Sequence, residues 1–224
     1  MKDVIKGDEW NIVQEGFDPE DNIFAESIFS LANGYIGGRG NFEEGYSGET
    51  LRSFFQAGVY YPDKALYGWY KIGYPKINNK VINSTDIIGI KVFLDVKQTL
   101  LTMQEFENFK RTLNMKNGLL ERSFTVIDKS GCKTAVYVKR FLSLHNLHLL
   151  AISYSVTPLN YSGCLEIEPY MDGSILNKDV QSDRGGFWKE VHKDNETLVV
   201  KTKKTDFYLA TTMKVRIFEN DSLK

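Results

Sequence analysis

Apolar and polar residues alternate in short runs along most of this chain, and turn formers separate the runs. Asp86-Ile87-Ile88-Gly89-Ile90-Lys91-Val92-Phe93-Leu94-Asp95 is rich in branched and aromatic residues. Leu119 to Asp128 alternates as a half-buried strand does, and Asp128-Lys129-Ser130-Gly131 supplies a turn. Thr134 to Phe141 is its expected hairpin partner, and Asn117-Gly118 is a second turn. Leu147 to Val156 predicts another strand, closed by Thr157-Pro158 because proline cannot donate to a ladder. Cys164 to Glu168, Thr197 to Thr202 and Phe207 to Ile217 are further strand candidates, whereas the region before Asn41 is irregular. Short helical or strand pieces are expected there around Trp10 to Val13 and Ala25 to Leu31. Strands at intervals of roughly 10–15 residues, without heptads or solenoid repeats, predict an all-β antiparallel sandwich. A single domain over residues 1–224 is expected. Strand character persists to Phe218, which suggests a truncated sandwich.

Composition narrows the classes. The chain has 224 residues, of which 42% are hydrophobic and 13% aromatic, enough for a core and too many for disorder. A net charge of −1 gives no electrostatic reason to expect nucleic acid or an anionic membrane as partner. The cluster Lys201-Thr202-Lys203-Lys204 is expected on a solvated strand face. Met1 to Asp8 lacks an apolar signal region, and no run approaches the roughly 18 apolar residues of a membrane span. A cytoplasmic location is expected. Cys132 and Cys164 are too few and too far apart for a zinc site or disulfide framework, and each is expected as a small buried hydrophobe. The sequons at Asn83, Asn160, Asn195 and Asn220 carry no weight without secretion.

The densest local signal is the glycine run Asn33-Gly34-Tyr35-Ile36-Gly37-Gly38-Arg39-Gly40-Asn41-Phe42-Glu43-Glu44. It is not a phosphate loop, because no Gly-Lys-Ser/Thr and no βαβ unit accompanies it. Backbone geometry, through positive φ or close approach, is the expected role of its glycines, with Arg39 in structural ion pairs. Glu43 and Glu44 are adjacent, and in extended chain their side chains leave on opposite faces, which does not suit a catalytic pair. Ion pairing or surface exposure is expected instead. His145, His148 and His192 lie in no ligand cluster, and structural or solvent-exposed roles are expected for them. Phe54, Phe55, Tyr60, Tyr61, Tyr67, Trp69, Tyr70 and Tyr74 crowd one segment, as core or interface, or as a stacking platform for sugar. These residues yield no catalytic, cofactor-binding or metal-binding assignment.

The block Glu26 to Glu44 resembles the opening of glycoside hydrolase family 65, the phosphorylases of maltose, trehalose and kojibiose. Ala57-Gly58-Val59-Tyr60 is similar to the family's Gly-x-Tyr element. Leu113-Asn114-Met115-Lys116-Asn117-Gly118-Leu119-Leu120-Glu121-Arg122 resembles its Leu-Asp-Met-Arg-x-Gly-x-Leu-x-Arg block, with Asn114 and Lys116 replacing Asp and Arg. Arg140-Phe141-Leu142-Ser143 and Met171 to Asn177 look like further family elements. The resemblance runs from about Trp10 to Met213. It implies an N-terminal β-supersandwich of the galactose-mutarotase-like kind, followed in full enzymes by an (α/α)6 barrel. That barrel carries the acid glutamate and the phosphate site, and no position here matches the family's catalytic motif.

The resemblance therefore implies a non-catalytic N-terminal domain, packed on its own barrel and serving a homodimer. The parent would convert an α-linked glucose disaccharide and inorganic phosphate, its co-substrate, to β-glucose 1-phosphate and glucose. No other cofactor is expected. Two other readings stay open. One is a freestanding mutarotase-like epimerase, drawing on His145, His148 or His192 with Glu166 or Glu168. The other is a carbohydrate-binding module built on the Tyr60 to Tyr74 aromatics.

Overall fold

The structure, a computed structural model, describes residues 5–65, 69, 72–94, 97–98, 105–177, 186–220 and 222–223. In chain order the elements begin with β1 (Ile5–Gly7), β2 (Asn11–Glu15), a 3-10 turn (Pro19–Asp21) and α1 (Asn22–Ile28). β3 (Leu31–Ala32), β4 (Ile36–Gly38), β5 (Phe54–Gln56), β6 (Tyr60–Lys64) and β7 (Ile77–Val81) follow. Next come β8 (Asp86–Leu94), β9 (Lys97–Gln98), β10 (Glu105–Asn114), β11 (Leu119–Ile127) and β12 (Lys133–Leu142). The last are β13 (Leu150–Pro158), β14 (Leu165–Asp172), β15 (Trp188–Lys193), β16 (Thr197–Thr202), β17 (Tyr208–Thr212), β18 (Phe218–Glu219) and β19 (Ser222–Leu223). The chain forms an all-β fold of antiparallel sheets, the class its alternation predicts.

Two compact units divide it, residues 1–57 with 88–170, and residues 58–87 with 171–224. The first is built on a six-stranded sheet in the order β1-β2-β10-β11-β12-β13, antiparallel throughout. Its hairpins follow from turn chemistry. Gly118 takes φ 65° between β10 and β11, while Asn114 Oδ1 accepts from the Lys116 and Asn117 amides. Alternate residues of β11 and β12 turn inward, so Phe124, Val126, Val136 and Val138 meet Phe42, Ile90, Val92 and Phe109 in one core. Phe17 plugs one end, with Phe42, Tyr46, Phe106 and Phe109 centroids 5.3–5.5 Å away. A smaller sheet, β3-β4-β5, carries the glycine run.

In the second unit β6 pairs with β7, and β15-β16-β17 form a meander. Tyr61, Ile82, Met171, Phe187, Trp188, Leu198 and Val200 fill its core. Asp63, buried on β6, is held by Lys80 at 2.8 Å. The lysine cluster is partly tied down: Lys201 pairs with Asp206 at 2.7 Å and Lys203 donates to the Gly186 carbonyl at 2.9 Å.

The short pieces expected around Ala25 to Leu31 are the end of α1 and the first residue of β3, joined through the buried Phe29. Other expectations need correction. The strand expected from Leu147 begins at Leu150, because Ser143 to Leu149 closes as a loop: the Ser143 amide donates to Leu149 O and Asn33 Nδ2 to Ser143 O and Leu147 O. The strand expected over 207–217 is confined to β17. Cys132 is half-buried and Cys164 exposed, so neither is a core residue. Tyr67 and Tyr70 lie outside the described residues.

Candidate functional site

The most concentrated chemistry in the first unit surrounds the glycine run. Gly34 adopts φ 86°, left-handed backbone in which an L side chain is strained. Gly38 and Gly40 serve close approach: a Cβ at Gly38 would sit 2.4 Å from the Phe54 ring, and one at Gly40 only 2.9 Å from the Phe29 carbonyl. Gly37 needs neither, since its Cβ would make an ordinary 3.6 Å contact with Ala32.

The run then passes beneath three buried arginines. Arg111, Arg122 and Arg140 occupy inward positions on β10, β11 and β12, in phase with Phe109, Phe124 and Val138. Arg111 Nη1 donates to the Gly40 carbonyl at 2.9 Å, and Arg140 donates to the Arg39 and Asn41 carbonyls at 3.3 Å. Arg52 Nη1 adds a bond to Phe42 O at 2.7 Å. Successive carbonyls from 39 to 42 are thereby bound by guanidinium groups. Arg39 itself donates to Ile23 O at 2.7 Å and lies 3.9 Å from Glu26, the structural pairing expected of it.

Glu43 and Glu44 sit in a turn, and that corrects the extended geometry expected for them. Because the turn brings their side chains to one side, Arg122 Nη2 lies 2.6 Å from both Glu43 Oε2 and Glu44 Oε2. Glu43 Oε1 meets Arg140 at 2.8 Å, and Glu44 Oε1 accepts from the Tyr154 hydroxyl at 2.6 Å. The Phe42 ring lies against two cations, with Arg111 Cζ 5.0 Å and Arg122 Cζ 4.5 Å from its centroid. Arg111 Nε and Nη2 are buried with no hydrogen-bond partner among the described residues, beside a cavity of about 10 Å³ lined by Glu43, Arg122 and Leu120 among others. A space of that size holds about one water molecule.

Electrostatics fixes the protonation states. Burial alone raises the Glu43 carboxyl, but Arg140 and Arg122 outweigh it and hold Glu43 below the ordinary carboxylate range. Burial opposes charge on Arg122 as well, yet Glu44 and Glu43 push its pKa up. Burial, with Arg122 nearby, lowers Arg111 to about 9, so it stays cationic at neutral pH. Tyr154 is pushed well above its usual value by burial and then by Glu44. A general acid needs a carboxyl with its pKa raised toward the working pH, and Glu43 has the opposite shift. Chemically the cluster is a clamp for backbone and carboxylate.

The remaining sequence candidates are dispersed. His145 and His148 lie in the exposed loop before β13, with the His148 ring edge-on to Tyr35 at 4.3 Å. His192 is exposed and 2.9 Å from Asp194, whose carboxyl is lowered mainly by that hydrogen bond. Glu166 and Glu168 are exposed on β14, where Glu168 pairs with Lys91 at 2.8 Å. Tyr61 is core, whereas Tyr60 and Trp69 are exposed. Sequence reading did not single out Arg111, Arg122 or Arg140 as a cluster, although each falls in phase with the buried apolar residues of its strand.

Comparison with known proteins adds a separate line of evidence. The family profile described as glycosyl hydrolase family 65, N-terminal domain, matches residues 12–223. The maltose phosphorylase of Bacillus subtilis (strain 168) is 41% identical over 186 residues, covering 83% of this chain and 24% of that protein. The kojibiose phosphorylase of Thermoanaerobacter brockii is 33% identical over 224 residues, covering 97% of this chain and 27% of the relative. The α,α-trehalose phosphorylase of the same organism is 33% identical over 223 residues, covering 93% and 29%. A solved structure from the human microbiome, assigned provisionally as a kojibiose phosphorylase, superimposes with a TM-score of 0.76 at 28% identity. It covers 90% of this chain and 27% of its own. The chain thus spans about a quarter of the length of these relatives.

Proposed function

The chain belongs to glycosyl hydrolase family 65, and we propose that it is the non-catalytic N-terminal domain of an inverting disaccharide phosphorylase. The parent would convert an α-linked glucose disaccharide and inorganic phosphate to β-glucose 1-phosphate and glucose. In that reaction one carboxylic acid protonates the glycosidic oxygen while phosphate attacks the anomeric carbon from the opposite face. Phosphate takes the place of the water that an inverting hydrolase activates.

One observation carries the non-catalytic reading. The paired carboxylates of the family block, Glu43 and Glu44, are bound by Arg122, Arg140 and Tyr154 at 2.6–2.8 Å. They anchor the glycine run to the sheet, with both oxygens of each carboxylate engaged by those partners. The arginines play the same part toward its carbonyls. A scaffold that presents a rigid surface to a barrel, and to a second subunit, is the role that fits. The same proposal takes residues 1–224 as one N-terminal domain and places the parent in the cytoplasm as a homodimer. Among the described residues no helix is long and apolar enough to cross a membrane.

The test is the natural reading frame beyond Lys224 and the activity of its product. Several hundred downstream residues of helical pattern, with phosphate-dependent release of glucose 1-phosphate by the whole protein, are expected. A natural stop codon after Lys224 would contradict the proposal.

A further inference from the structure

The face of the six-stranded sheet opposite the arginine cluster carries a groove of about 230 Å³. It lies wholly in the first unit, lined by Asn108, Ser123, Thr125, Tyr137, Ser155 and Thr157. Strand register creates it. Ser123 pairs with Tyr137 and Tyr137 with Ser155, while in the next row Thr125 pairs with Ala135 and Ala135 with Thr157. Small side chains in adjoining rows leave a depression beside the ring of Tyr137, which is 40% exposed.

Two features distinguish this patch from an ordinary solvated face. The first is backbone conformation at its rim. Asn108 has φ 55° and sits in the bulge of β10 between Glu107 and Lys110. Left-handed backbone is uncommon outside glycine, and bulges re-aim side chains next to sites. The second is charge. No lining residue is ionic, and the surrounding ions are spent on one another: Lys133 on Glu107 at 3.0 Å and Lys139 on Glu121 at 3.7 Å. The Tyr137 hydroxyl also donates to Glu121, and the Lys139 ammonium sits 5.1 Å over one face of the ring.

We propose that this groove binds a neutral polyhydroxylated ligand, a single sugar ring of a glucoside. Hydroxyls and an amide can donate to and accept from sugar hydroxyls, and the Tyr137 face opposite Lys139 can stack on the apolar C–H face of a pyranose. The volume falls below the roughly 300–1,000 Å³ of most small-molecule pockets, so one ring fits and the rest of the glucoside stays in solvent. Anions gain nothing here, because each nearby ammonium already has a partner. The inference rests on the groove alone and does not depend on the phosphorylase reading, since it requires binding without turnover.

The experiment is an amide ¹H–¹⁵N titration of the purified chain with maltose, with glucose 1-phosphate as a second arm. Saturable shifts centred on Asn108, Ser123 and Ser155 are expected, with Kd on the order of 1–10 mM and weaker binding of the phosphate ester. Ala135→Leu, which fills the depression, should abolish the shifts. Tyr137→Ala should weaken binding several-fold, and it carries the test if Ala135→Leu fails to fold. Unsaturable or scattered shifts with the wild-type chain would overturn the proposal. So would maltose binding that survives in a folded Ala135→Leu variant, or in Tyr137→Ala at full strength.

Discussion

Arg111 and Arg122 face each other directly across β10 and β11, two like charges in cross-strand register inside a core. Such a pair is destabilising unless counter-charge is close. Glu43 and Glu44 supply it from a turn that lies 78–79 positions earlier in the chain than Arg122. The first unit therefore depends on a long-range electrostatic closure between its glycine run and its central strands. Removing one member of a buried pair leaves the other charged and uncompensated, which is far more costly than the pair's net contribution.

From this follows the size of a single substitution. Glu43→Gln keeps the side chain's shape but leaves Arg122 and Arg140 without their shared carboxylate. Urea unfolding should show a loss of about 3–5 kcal/mol, or a chain that no longer folds cooperatively. Lys110→Ala, which removes only the exposed 3.4 Å pair with Glu15, is the control and should change stability by less than about 1 kcal/mol. Equal effects in the two variants would mean that the buried cluster is not what closes the unit.

The same carboxylate gives a pH dependence with a definite sign. Arg140 and Arg122 hold folded Glu43 below its ordinary value of 4.5, so protons bind the unfolded chain first. Its contribution is complete above that ordinary value and is lost as the pH falls through the depressed one. Urea midpoints measured across the acid range should fall more steeply for wild type than for Glu43→Gln. Parallel curves would remove Glu43 as a source of acid sensitivity.

Three glycines of the run should behave differently from one another. Gly40→Ala forces a methyl onto the Phe29 carbonyl, and overpacking of this kind costs on the order of 1–3 kcal/mol. Gly34→Ala has space but a left-handed φ, for a loss of about 1 kcal/mol. Gly37→Ala should melt within about 0.5 kcal/mol of wild type. Thermal melts of the three variants provide the ranking, and a Gly37→Ala loss as large as that of Gly40→Ala would contradict the contact geometry.

How far the sequence exposes this arrangement depends on the strand. β11 and β12 are legible because apolar residues recur at alternate positions, broken only by a few polar side chains, and Gly118 and Gly131 mark the turns beside them. The arginine cluster is hidden by a habit of reading charge as surface. Arg122 occupies an inward position between Leu120 and Phe124, and Arg140 one between Val138 and Leu142. Parity along the strand is the signal that finds them. Their partners stay illegible, since nothing local joins Glu43 to residues 79 and 97 positions away. Loop closure at Ser143 to Leu149 is equally long-range, because it depends on Asn33.

A fourth expectation concerns the second unit. Tyr60 and Val81 are exposed and directly paired on β6 and β7, and Trp69 is 65% exposed. Apolar surface of this kind favours association. Sedimentation should show weak, concentration-dependent self-association of the purified chain, reduced in Tyr60→Lys. A strictly monomeric wild type at high concentration would contradict it.

Under the proposed function, the charged residues of this domain build a scaffold and perform no catalysis. The most direct measurement is incubation of the purified chain with maltose, kojibiose or trehalose and inorganic phosphate, followed by assay for glucose 1-phosphate. No product above the blank is expected with any of the three. Sustained turnover by the isolated chain, lost in a folded Glu44→Gln variant, would contradict the account.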